Sequence, residues 1–234
     1  MALTPEQIFE ELDKLAVKYD LTKHPLWVRA NQGRLTREQF SHYVAQRWLF
    51  TVEFPAVLAS IMSKLKRDLQ GRRRLLHNLM EEELEPKDHV SLYLRLARAL
   101  GWTDEKLSAL EVIPEEVAQR VGFLNLMANS DIAECLAIGY VTEGQAPNYH
   151  WVPKEVLEKE YGLTREDYEW MTIHSEVDTE HGENYKRALQ HYLPVREEEQ
   201  RALIQKAEEG LLLMQLFYDG CYRYFVLGNG RALE

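Results

Sequence analysis

Helical periodicity dominates this chain, with apolar residues recurring at three- and four-residue intervals in one segment after another, and no segment reads as a strand. That periodicity admits helices and excludes a half-buried sheet. Residues 4–19 open with Thr4 as N-cap, Pro5 at the first helical position and Gln7 three residues after the cap, followed by the stripe Ile8, Leu12, Leu15, Ala16. A short helical segment around HPLWVRANQG ends at Gly33. Thr36 opens a long helix to about residue 69, with Pro55 inside it as a kink point. Helices over 71–84 and 88–100 are separated at Glu85-Pro86-Lys87. Pro114 starts a helix to about 129, and Asp131 caps another to about 143, closed by Gly144 and Pro147. Pro153 starts a short helix, Thr164 caps a long one to about 192, and the last spans about 195–226. With no internal repeat and no low-complexity linker, the expectation is one all-α domain over 1–234.

Composition narrows the function classes. Only 12 Gly and 8 Pro interrupt 234 residues that are 45% hydrophobic, which suits a helical protein with a sizeable core. The net charge of −10 excludes nucleic acid as a natural partner, because phosphate contacts need clustered Lys and Arg. The one dense basic cluster, Arg72-Arg73-Arg74, is followed by Glu81-Glu82-Glu83 and reads as a solvated helix face. Cys135 and Cys221 lack CxxC partners and sit in apolar periodic segments, as buried thiols do. The N-terminus has no signal-peptide pattern, and no run approaches the roughly 18 apolar residues that cross a bilayer, so a soluble cytoplasmic protein is expected.

The chemistry is concentrated in HSEVDTEH, residues 174–181. His174, Asp178 and His181 stand at i, i+4 and i+7, so on a helix they project within about 60° of one another. Trp170, Met171, Val177 and Tyr185 border that face, whereas Glu176, Glu180 and Glu183 do not share it. Such a face is either a wet, charged surface or the inward side of a site for a borderline divalent metal, iron and manganese included. A metal site needs carboxylates from other helices. Glu143 ends the apolar stripe Ile132, Cys135 or Leu136, Gly139, where an acid near a helix C-terminus opposes the macrodipole and calls for pairing, protonation or a metal. In HNLMEEELEPKDH, residues 77–89, Glu81, Glu82, Glu83 and Glu85 are all candidates, and Glu82 lies seven residues before His89.

Glu82-x6-His89, then Glu143, then His174-x3-Asp178-x2-His181 resembles the haem-oxygenase-like di-iron oxidases and oxygenases. The nearest subgroup is that of the chlamydial death-domain-associating (CADD-like) proteins and their bacterial relatives, para-aminobenzoate synthases of folate biosynthesis. The wider superfamily includes the PqqC-like pyrroloquinoline-quinone synthases and the thiaminase-like TenA proteins. The resemblance extends over nearly the whole chain, including HPLW, YVAQRWLFTVEFP and FYDGCYRYF. It implies a haem-oxygenase-like helical bundle and two Fe(II) ions held between helices by Glu82, His89, Glu143, His174, Asp178 and His181, with manganese accepting the same ligands. It also implies O2 as co-substrate, a small-molecule substrate, no membrane association and a homodimer.

The chain departs from the aminobenzoate-forming relatives at one informative place. They are understood to sacrifice a tyrosine in an HPxY-like segment, and Trp27 stands there in His24-Pro25-Leu26-Trp27. Tyr43 is the first substitute candidate for the ring donor, although its helical spacing also suits the core, and Lys154 corresponds to the subgroup's functional lysine or is an exposed lysine in the first turn of its helix. The leading expectation is therefore an O2-dependent di-iron oxidase or oxygenase acting on a small amine, amino acid or acid. Self-sacrificing para-aminobenzoate synthesis comes second, and a PqqC-like cofactorless oxidase third. A non-enzymatic interaction protein and TenA-like hydrolysis through Cys135 are the other classes weighed.

Overall fold

The computed structural model describes residues 1–84, 87–145 and 152–229, with the backbone but not the side chains of 175–181. Among the described residues every regular element is helical. In chain order the α-helices are α1 (Pro5–Lys18), α2 (Pro25–Asn31), α3 (Arg37–Lys64), α4 (Leu69–Glu83), α5 (His89–Ala99), α6 (Asp104–Ser108), α7 (Pro114–Asn129), α8 (Ile132–Glu143), α9 (Lys154–Lys159), α10 (Glu169–Leu189) and α11 (Glu197–Cys221). A 3₁₀ turn at Leu21–Lys23 precedes α2, and a π-helical turn at Tyr222–Val226 follows α11.

Helix starts follow the cap chemistry of the sequence. Thr4, Thr36 and Asp131 each form a full capping box with the residue three places on, Gln7, Gln39 and Glu134. His24 starts α2: its Nδ1 accepts the Leu26 amide at 3.1 Å and its Nε2 lies 3.1 Å from Asp219. The helix α3 runs unbroken through Pro55 but stops at Lys64, short of the expected 69. Its end is taken over by Arg72, whose guanidinium donates to the Leu65 and Lys66 carbonyls at 2.8 and 2.6 Å, while Asp68 caps the next helix through the Gly71 amide. Likewise α10 starts at Glu169 rather than after Thr164. The Asp167 carboxylate takes both the amide and the hydroxyl of Thr164 at 2.7 Å, closing a separate turn first. The short α6, capped by Thr103, has no counterpart in the sequence reading.

The centre of the bundle is α8, apolar on all sides. Ala133, Cys135, Leu136, Ala137, Ile138, Gly139, Val141 and Thr142 are all buried, the pattern of a core helix rather than an amphipathic surface one. It joins two apolar clusters, one with α1, α10 and α11 through Leu136, Tyr185, Leu203 and Leu211, the other with α3, α4 and α7 through Ile138, Leu58, Leu75 and Phe123. A third cluster gathers α2, α3, α5, the start of α10 and the end of α11 around Trp27, Tyr43, Tyr93 and Tyr218. Each such fully buried Leu, Ile or Phe contributes about 1.5–3 kcal/mol. Close approach around α8 relies on glycine: a Cβ on Gly210 would meet the Ile138 side chain at 2.8 Å, and one on Gly139 would meet the Tyr185 ring at 2.4 Å. The functional consequence is placement. Glu143 is the last residue of α8, so this buried helix carries it to Tyr185 of α10.

Both cysteines are free and buried, as their apolar periodic setting suggests. Burial pushes the Cys135 thiol up to about 12, and Cys221 also rises for the same reason. Burial thus disfavours in both the thiolate that nucleophilic hydrolysis needs. No helix among the described residues is long and apolar enough to cross a membrane.

Candidate metal centre

Because α4 ends at Glu83 and α5 begins at His89, Glu82 and His89 meet from two helices instead of one. Glu82 sits in the last turn of α4, and His89 opens α5, where Asp88 caps the helix by accepting the Ser91 amide at 2.6 Å. Both side chains are buried, Glu82 at 8% and His89 at 4% exposure, and the Glu82 Oε1 lies 3.1 Å from the His89 Nδ1. A carboxylate at this depth is tolerated only with partners of opposite or accepting character. The partner from α10 is His174. One ligand atom each from Glu82, His89 and His174 all lie within 4.8 Å of one another, and the two imidazole centroids are 4.5 Å apart.

The surroundings orient this triad. The His174 Nδ1 lies 2.8 Å from the Trp170 carbonyl one turn earlier, a bond in which the nitrogen donates, and this leaves Nε2 as the ligand atom. The Trp170 indole packs on the His174 ring at 4.0 Å, and Tyr93 from α5 stands edge-on to Trp170 at 4.7 Å. The Tyr93 hydroxyl is in turn tied to the Val44 carbonyl of α3 at 3.0 Å. On the outer side Glu169, at the start of α10, pairs with Lys87 at 2.5 Å and Arg95 at 3.3 Å, and chiefly through its bond to Lys87 its carboxyl lies below the ordinary range. The helices that carry His89 and His174 are thus joined both inside and at the surface.

Glu143 approaches from α8. Its Oε1 accepts the Tyr185 hydroxyl at 2.7 Å. Burial, followed by the charge and the hydrogen bond of Glu143, pushes the Tyr185 phenol well above its usual value. Two imidazoles with the convergent Glu82 carboxylate suit iron or manganese better than a thiolate-seeking metal, and these donors fit the group that the sequence implies.

Of the residues expected to form the site, Glu82, His89 and His174 converge, and Glu143, outside that cluster, is bonded to Tyr185. The side chains of Asp178 and His181 lie outside the described residues, although the α10 backbone is helical through both positions. Tyr43 is buried among Trp27, at 5.1 Å and edge-on, Phe40, Phe217 and Tyr218. Lys154 is exposed at the first position of α9. The sequence reading placed Trp170 and Tyr185 at the border of the His174 face. It did not foresee that the Trp170 carbonyl orients His174 or that Tyr185 holds Glu143, and it missed Tyr93. A signal for the second existed in Gly139, four residues before Glu143, which leaves room on that face for a large neighbour.

Comparison with known proteins agrees with this geometry. Residues 41–215 match a family described as iron-containing redox enzymes. The chain is 31% identical over 188 residues to a 4-aminobenzoate synthase of Chlamydia trachomatis, covering 77% of this chain and 78% of the relative. It is 28% identical over 198 residues to a pyrroloquinoline-quinone synthase of Pseudomonas syringae pv. syringae, covering 82% and 77% of the two. Among solved structures, a TenA homologue from Pseudomonas syringae pv. tomato superposes with a TM-score of 0.76 at 17% identity, covering 93% of this chain and 92% of the other. A CADD-like protein of unknown function from Nostoc punctiforme gives 0.75 at 15%, covering 95% and 98%. A domain from Shewanella denitrificans with a haem-oxygenase-like fold gives 0.72 at 19%, covering 94% of each. The all-α bundle has that fold, and the chain belongs to the haem-oxygenase-like family of iron-containing redox enzymes.

Proposed function

We propose that the protein is a dioxygen-dependent oxidase or oxygenase that works with two iron ions and acts on a small amine, amino acid or acid. The observation that carries this is the convergence of Glu82, His89 and His174, buried or half-buried, from three helices. Glu143, Asp178 and His181 complete the ligand set in this reading. Glu143 is supported by its link to Tyr185, and the other two by helical spacing on the face of His174. When bound, paired Fe(II) ions supply electrons to dioxygen. The chain's own part is to fix His174 through the Trp170 carbonyl, to hold Glu143 through Tyr185, and to exclude water with the Trp170 and Tyr93 rings. Manganese accepts the same mixed donors; membership of an iron-containing family favours iron. A cofactorless reaction of the pyrroloquinoline-quinone type is disfavoured, because the acids gathered here would repel an acidic quinone precursor.

A cytoplasmic location is part of this reading, supported by two free, buried cysteines, and a homodimer rests on the family resemblance alone. The substrate is a small molecule, and nucleic acid is not a partner, given the net charge of −10.

A second reading has a specific observation behind it. The relatives at 28–31% identity include 4-aminobenzoate synthases from both chlamydiae and Nitrosomonas europaea, and a chain that made this product from its own tyrosine would be consumed. Trp27 occupies the place expected for the donor ring and is an indole packed in the core, 5.1 Å from Tyr43 and 5.7 Å from Tyr218. Tyr43 is the substitute donor in that reading, with Lys154 as the functional lysine. Intact-mass measurement during aerobic turnover with iron and a reductant separates the two. Catalysis on an external substrate leaves the chain mass constant while O2 is consumed over many turnovers. A reaction that stops after one turnover, with mass lost from a single tyrosine, would establish the sacrificial route instead.

A further inference from the structure

Tyr185 belongs to the same helix as His174, eleven residues on, which places the two within about 20° of each other around α10. Its ring is buried and lies in the notch left by Gly139, where any Cβ would stand 2.4 Å from a ring carbon. Gly139 precedes Glu143 by one helical turn, so the notch aims the hydroxyl at the end of α8. There it donates to the Glu143 Oε1 at 2.7 Å. A second close approach secures the register. A Cβ on Gly182 would come within 3.0 Å of the Gly144 Cα, so α10 and the end of α8 nearly touch one residue beyond Glu143. Half-buried at a helix C-terminus, Glu143 faces an unfavourable macrodipole and has several rotamers open to it. One short bond from a fixed phenol selects among them.

We infer that Tyr185 is a positioning residue: seated on Gly139, it fixes the orientation of the Glu143 carboxylate and so sets the affinity of the centre for metal. The inference rests on the proposed function, in which Glu143 is a ligand. It assigns no chemistry to the phenol itself. A hydroxyl bonded to one carboxylate oxygen fixes the direction of the other, and outer partners of this kind typically govern metal affinity by about 10–100-fold.

The test is an anaerobic calorimetric titration of the full chain with Fe(II), and in parallel with Mn(II), on the wild type, Tyr185→Phe, Glu143→Gln and the double variant. Tyr185→Phe keeps the ring in its notch, so the metal-free melting temperature serves as the control for folding and should stay near that of the wild type. The expected result is an affinity loss of about 10–100-fold in Tyr185→Phe. In the Glu143→Gln background the same substitution should change affinity by less than about twofold, because coupled residues do not act additively. Wild-type affinity in Tyr185→Phe overturns the inference while leaving the metal centre intact, as does an equal loss in both backgrounds. A wild-type chain that binds neither ion sinks the proposed function itself, and the inference with it.

Discussion

His174→Ala should abolish tight iron binding and O2 consumption together while leaving the bundle folded. The His174 ring is half-buried and packs on Trp170 and beside His89, so its loss removes contacts at the edge of one cluster rather than the centre of the core. The cost in metal affinity should exceed the roughly 10–100-fold typical of losing an outer partner, since a ligand itself is deleted. Anaerobic Fe(II) titration and oxygen-electrode rates, with far-ultraviolet circular dichroism as the folding control, measure all three. Unchanged iron affinity in a folded variant would remove His174 from the centre.

Metal should also raise the melting temperature. In the proposed ligand set the buried Glu82 and the half-buried Glu143 face one cation, and without it like charges in a region of low dielectric repel. A divalent cation relieves that repulsion only in the folded chain. With free metal at about 100 times Kd, the linkage stabilises by about 2.7 kcal/mol. For a chain of this length that is about 5–11 °C, at roughly 2–4 °C per kcal/mol. Differential scanning calorimetry with Fe(II) or Mn(II) under argon should show the rise, and Mg(II), which prefers an all-oxygen octahedron, should give much less. A midpoint indifferent to both Fe(II) and Mn(II) would argue strongly against a buried site.

The sequence made some of this legible and hid the rest for physical reasons. The boundaries at Thr4, Thr36 and Asp131 could be read because a capping box is local, complete within four residues. The end of α3 and the start of α10 could not, because the deciding bonds come from Arg72 reaching back to Leu65 and from Asp167 closing on Thr164 against the longer helical pattern. Among the expected site residues, the face proposed for His174, Asp178 and His181 rests on helical spacing alone, and the α10 backbone is helical through all three. The meeting of Glu82 with His89 does not, since the two residues stand on separate helices, α4 ending at Glu83 and α5 starting at His89, and the contact is one between two helix ends. The choice of Glu82 over its acidic neighbours came from the family resemblance, and its burial at the end of α4 agrees. The Tyr185 bond to Glu143 is the least legible, because it depends on a side chain missing at Gly139 and a hydroxyl arriving from another helix forty-two residues away.

The central claim is that these helices hold a pair of metal ions. It is tested most directly by the metal content of the chain after anaerobic loading with Fe(II) and removal of excess ion, measured by elemental analysis against protein concentration. The account predicts about two irons per chain, falling in Glu143→Ala and His174→Ala. A wild-type chain that retains no iron, or one whose iron content is the same in both variants, would contradict it.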